Sequence, residues 1–195
     1  LRDLLPVVFR ASQRPVTEGA QNAFRIELTD EGKRSAIMRQ AVSDTEHRRI
    51  WTSVPEVHWR YPNLAAKPGA NVLAFALGRS APDFATAAAG VDDPEVRRRR
   101  EQFQRHRALI TTQNVGLGRV LMLSFDRTWR LRYRAGDVYH HRFWGQVLRW
   151  AAGGRLPAGT ALVKLGAEHG HYRQDEHVRV RARIVREDLT PLVSR

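Results

Sequence analysis

"ALITTQNVGLGRVLMLSF", residues 108–125, decides how this chain is read. Two apolar runs flank a short turn that holds Gly116 and Gly118, the signature of a β-hairpin. A phosphate-cradling loop would need the same glycines to open a helix, so that backbone N–H groups and the helix dipole meet the anion. Here they open a second strand. A tight hairpin is expected, and a nucleotide loop is not.

Working upstream, "KPGANVLAFALG" (67–78) is a Pro-Gly turn followed by a near-continuous apolar run, the pattern of a strand buried on both faces. "FRIELT" (24–29) alternates Phe24, Ile26 and Leu28 with Arg25, Glu27 and Thr29, a half-buried strand. "LLPVVF" (4–9) reads as a short strand or loop, with a polar connector through Asn22. Thr29 or Asp30 caps a short helix expected to run to about Arg39, and Ser43 or Asp44 starts another. Pro55 and Pro62 bracket an extended "EVHWRY". The small-residue stretch 79–91 is expected to be mobile. Asp92 or Asp93 then caps a helix that carries Pro94 at its first position, Glu95 in its first turn and a thin apolar face, Val96 and Phe103.

Downstream, Asp137 caps the strongest helix pattern in the chain, residues 137–154. Phe143, Val147 and Trp150 form one apolar row, and Trp144, Leu148 and Ala151 an adjoining one. Gly153 and Gly154 stop it. Pro157 and Gly159 mark a boundary. Beyond them Val178, Val180, Ala182 and Ile184 face one way and Arg179, Arg181 and Arg183 the other. The expected organisation is an α/β domain over 1–155, then the first strands of a β-rich domain over 156–195.

The chain has 195 residues, enough for one good core, or for one domain plus part of a second. No run approaches 18 apolar residues, so no membrane-spanning segment is expected. The start lacks the pattern of a signal peptide and lacks Met; Leu1 reads as a cut inside a longer protein. With no cysteine, disulfides, thiolate metal sites and a cysteine nucleophile are excluded within this chain. The net charge is +13, and only Lys33, Lys67 and Lys164 of the 33 basic residues are lysine. Such a field attracts polyanions without defining a fold.

Few residues offer chemistry. His140 and His141 are adjacent and point about 100° apart on a helix, so they do not chelate one ion easily. His169 and His171 share a side if extended, but nothing near them completes a metal site. Asp126 with His140 or His141 could form an acid/base pair with Ser124 as nucleophile, but "LSFD" lacks the Gly-x-Ser-x-Gly elbow. Arg97, Arg98, Arg99 and Arg100 could dock on phosphates, as could Arg179, Arg181 and Arg183. The first set also has the Arg/Glu spacing of a solvated helix face. The second could protect an edge strand from aggregation.

Gly116, Gly118, Arg119 and Val120; Asp126, Trp129 and Arg132; and Arg142, Phe143, Trp144, Gly145, Arg149 and Trp150 stand in a recognisable order. Over about residues 67–152 this order resembles the class I glutamine-amidotransferase-like domains of large bacterial membrane-anchored proteins, often found beside a von Willebrand factor A-like domain. The resemblance implies a partial flavodoxin-like α/β sandwich whose first half precedes Leu1, followed by an immunoglobulin-like β-sandwich segment. It also implies that a working glutaminase would need a cysteine on a strand-to-helix elbow and a His-Pro-Glu after a late strand. Asp126, Arg127 and Thr128 stand at that second place instead. The expectation is therefore a non-catalytic scaffold or interaction domain without cofactor or metal. Its partners would be other domains of the same parent or an unidentified protein, and dimerisation could run through open strand edges. Asp126, Trp129, Arg132, Arg142, Trp144 and Arg149 are expected to form a polar network holding strand end to helix, with Trp129 as a staple over the loop. Two alternatives stand beside this: an Arg-rich polyanion or nucleic-acid module, and a hydrolase or amidotransferase completed outside the chain.

Overall fold

A computed structural model of the chain describes residues 2–9, 23–86, 93–115, 118–133, 137–152, 158–159, 163–167 and 177–184. The strands are β1 (Val7–Phe9), β2 (Phe24–Leu28), β3 (Leu64–Ala66), β4 (Asn71–Gly78), β5 (Ala108–Val115), β6 (Gly118–Leu123), β7 (Ala158–Gly159), β8 (Val163–Ala167) and β9 (Val180–Ile184). The α-helices are α1 (Asp30–Arg34), α2 (Asp44–Ser53), α3 (Pro94–His106) and α4 (Val138–Ala152). The main sheet runs β2-β4-β5-β6; β1 pairs with β3, and β7, β8 and β9 form a separate sheet. Mixed α/β architecture is as the sequence indicates. The strand direction differs from a flavodoxin-like layer, which is parallel: among the described strands every pairing is antiparallel.

The β5–β6 hairpin forms as its sequence dictates, with register from Ile110↔Leu123 to Val115↔Gly118. Gly116 and Leu117 lie outside the described residues. Strand alternation then sets the layers. Ala74 and Ala76 of β4 join the main core with Trp51 of α2 and Phe143 and Val147 of α4. Phe75 and Leu77 point into a second cluster, where Phe103 of α3 closes over them. The sheet thus carries helices on both faces.

Local chemistry fixes the helix ends. Asp93 accepts from Glu95 N–H and Val96 N–H and leads into Pro94, so α3 begins as expected. α1 stops at Arg34, five residues short of the expected end, because Ser35 turns extended and its N–H closes on Glu31 and Gly32 carbonyls. α1 also lies very close to β4. Thr29 N–H donates to Leu73 O at 3.1 Å, the Thr29 hydroxyl donates to Val72 O at 2.5 Å, and a Cβ on Gly32 would stand 1.8 Å from Leu73 O.

On α4 only one of the two expected apolar rows is covered. Phe143 and Val147 are buried and Trp150 packs against the core. Trp144 also packs against the core, but the rest of its row does not: Leu148 is 67% exposed and Ala151 is exposed, so the apolar face is narrower than the sequence pattern suggests. The glycines at 153 and 154 lie outside the described residues.

Candidate functional site at one end of the sheet

The end of β2 that begins at Phe24, the end of β4 at Gly78, the start of β5 and the end of β6 all lie together. The extended segment after Val54 crosses this end. Val57 and Phe24 exchange two backbone hydrogen bonds of 2.9 Å, and Tyr61 N–H donates to Ser124 O at 2.6 Å. The crossing brings Arg60 to the sheet end, where Arg107 also stands as the residue before β5.

Ser124 is fully committed to holding these pieces together. It is 4% exposed. Its hydroxyl donates to Ala108 O at 2.6 Å, its N–H donates to Leu109 O at 2.8 Å, and its carbonyl accepts from Tyr61. Asp126, two residues on, is the opposite. Its side chain is 64% exposed and its carboxylate lies 3.8 Å from Arg127 Nε.

The expected network around Asp126 is not what the structure brings together. Arg132 pairs with Asp137, across the start of α4. Arg142 donates to Gln40 O, and Gln146 beside it donates to Arg39 O. Arg149 is exposed on α4. Trp129 is 48% exposed and stacks under the Arg130 guanidinium at 5.4 Å, so it is no staple over a buried loop. Trp144 meets Phe143 edge-on at 5.6 Å. The physical reason is exposure: Asp126 stands on the surface just past Phe125, and the other expected members find separate partners, Arg132 at Asp137 and Arg142 at Gln40 O, rather than one buried centre. The strand-to-helix clasp is made instead by Arg119, which donates to Trp150 O at 2.8 Å at the C-terminal end of α4.

Arg142 and Gln146 join a second polar cluster. Gln40 and His47 are buried, and Gln40 N–H donates to His47 Nδ1 at 3.2 Å. An accepting Nδ1 puts the proton of the neutral ring on Nε2. Burial holds the His47 pKa below the usual histidine value; Arg39 adds to this and Asp44 opposes it.

The arginine run of α3 is largely engaged in local contacts. Arg98 pairs with Glu95 at 3.0 Å, the Arg99 guanidinium lies 4.8 Å over the Phe84 ring, and Arg100 meets Asp30 at 3.1 Å. Arg97 is exposed. A cleft of about 390 Å³ between α3 and the β1–β3 pair is lined by Arg98, Gln102, Arg105, Val8 and Ala66 among others. Its Arg105 is occupied in donating to Ala66 O from two nitrogens, at 3.3 and 3.0 Å. Arg179 is exposed before β9, while the side chains of Arg181 and Arg183 lie outside the described residues, as do His169 and His171. No group of three or more metal-ligating side chains occurs among the described residues.

One residue at the sheet end was invisible in the sequence pattern. Arg60 is partly buried, its Nη1 is sealed from solvent, and that nitrogen has no hydrogen-bond partner among the described residues. A lone arginine between two prolines has no periodicity to betray it; its significance comes only from the crossing. In comparison with known proteins, the chain matches no family model, no curated protein and no solved structure.

Proposed function

We propose that this chain is a non-catalytic scaffold or interaction domain of a larger bacterial cell-envelope protein, related to the glutamine-amidotransferase-like domains its residues 67–152 resemble. The observation that carries the reading is Ser124. Every polar group it has is engaged in holding the sheet end, and the Asp126 that follows is a surface carboxylate beside Arg127. A nucleophile must keep its oxygen within reach of a base; this hydroxyl is committed to the Ala108 carbonyl. In this reading the parallel strands of a flavodoxin-like layer lie outside β2–β6, and β7–β9 begin an immunoglobulin-like segment. The parent protein, not this chain, supplies the membrane anchor; among the described residues no helix is long and apolar enough to cross a membrane. Val180 and Ile184 on β9 are 64% and 48% exposed, and with Ala182 they offer an apolar strip to a neighbouring domain.

The test is ammonia release from glutamine by the purified chain. The expected result is release no faster than in buffer. Glutamine-dependent release that disappears in Asp126→Asn would overturn the proposal.

A further inference from the structure

Among the described residues no carboxylate meets the Arg60 guanidinium, whose Nη1 is buried. Its segment is pinned on both sides, by the Val57–Phe24 hydrogen bonds and by Tyr61 N–H on Ser124 O. Phe24 lies opposite Gly78, and Arg107 Nη1 comes within 3.6 Å of the point where a Cβ on Gly78 would stand. Arg107 is held there by its own carbonyl, which accepts from Ala76 N–H at 2.8 Å, and by the Phe103 ring, 4.6 Å from its guanidinium. Arg60 and Arg107 therefore stand at the same end of the sheet. Burial holds the Arg60 guanidinium below the usual arginine range, and the charge of Arg107 pushes it the same way.

This arrangement is costly as it stands. A guanidinium does not shed its proton under ordinary conditions, so it cannot escape burial by neutralising. Buried charge is tolerated when it is paired. The same fold shows the paired solution elsewhere: the Arg100 side chain, only 12% exposed, meets Asp30 at 3.1 Å. Among the described residues no carboxylate does this for Arg60.

We propose that Arg60 and Arg107 form a binding site for a dianionic phosphate group, either free phosphate or a phosphate monoester. Two positive charges are balanced by one such group, which carries about −1.5 to −2 at neutral pH. The guanidinium fork suits its oxygens. A nucleic-acid diester brings one charge per phosphate and balances the pair less well.

The experiment is thermal unfolding with parallel calorimetry at pH 7.5, in inorganic phosphate or phenyl phosphate against chloride of equal ionic strength. The proteins are the wild-type chain, Arg60→Gln and Arg107→Gln. Phosphate should raise the wild-type Tm by about 5 °C more than chloride does. Both variants should lose that extra shift, and Arg60→Gln should melt no lower than wild type in chloride. Phosphate also stabilises proteins by exclusion from their surface, an effect common to all three chains that cancels between them. A larger response to phenyl phosphate assigns the site to a monoester and a larger response to inorganic phosphate to the free anion; each supports the site. Equal shifts in wild type and Arg60→Gln would overturn it. So would an Arg60→Gln chain that melts well below wild type in chloride or fails to fold, since Arg60 would then already have a structural partner.

Discussion

His47 shows at the scale of one residue how burial becomes a property of the whole chain. It is 2% exposed, and its pKa is lowered first by desolvation and then by Arg39. The unfolded chain therefore takes up the proton before the folded one does. The associated stability is complete above the ordinary histidine value of about 6.5 and is lost as pH falls through the lower folded value. The wild-type Tm should fall between pH 7 and pH 5, and His47→Gln should flatten part of that fall; an unchanged slope would contradict the assignment. Asp126 is the exposed counterpart. Its sequence position after a buried strand suggests a buried network and a cost on removal of roughly 1–3 kcal/mol, the scale for orphaned buried partners. With a side chain 64% exposed, Asp126→Ala should instead change stability by no more than about 0.5 kcal/mol in denaturant unfolding. Single charges are where sequence reasoning fails, because burial at one position depends on what crosses it. Arg60 and Asp126 fail in opposite directions for that one reason.

Elements were far more legible. Glycine between apolar runs gives the β5–β6 hairpin, alternation gives β2, and Asp93-Pro94 gives the start of α3, because each signal is local. The end of α1 and the uncovered row of α4 were not legible, since both depend on neighbours. The same is true of Gly32. Nothing in "DEGKR" says that this glycine rests on the β4 backbone, yet a Cβ there would stand 1.8 Å from Leu73 O. Neither helix nor strand can yield without breaking the Thr29 hydrogen bonds to Val72 and Leu73. Gly32→Ala should destabilise by about 3 kcal/mol, at the upper end of overpacking costs. Chemical denaturation would measure it, and a change near zero would mean that α1 lifts off the sheet freely.

For the whole molecule the decisive quantity is the charge of +13. The sequence leaves two readings of it, a polyanion surface or background. The structure puts many arginines to internal use: Arg100 on Asp30, Arg105 on Ala66, Arg119 on Trp150, Arg132 on Asp137 and Arg142 on Gln40. Phosphate-binding stripes keep such groups outward and continuous. Among the described residues these arginines therefore hold the fold, and the anion site proposed at the sheet end is a discrete one. The measurement that bears on this claim most directly is a titration of the chain against a labelled DNA duplex at several salt concentrations. Weak binding that disappears near physiological salt is predicted. Micromolar or tighter binding that persists there, with a log–log slope of several released counterions, would contradict it.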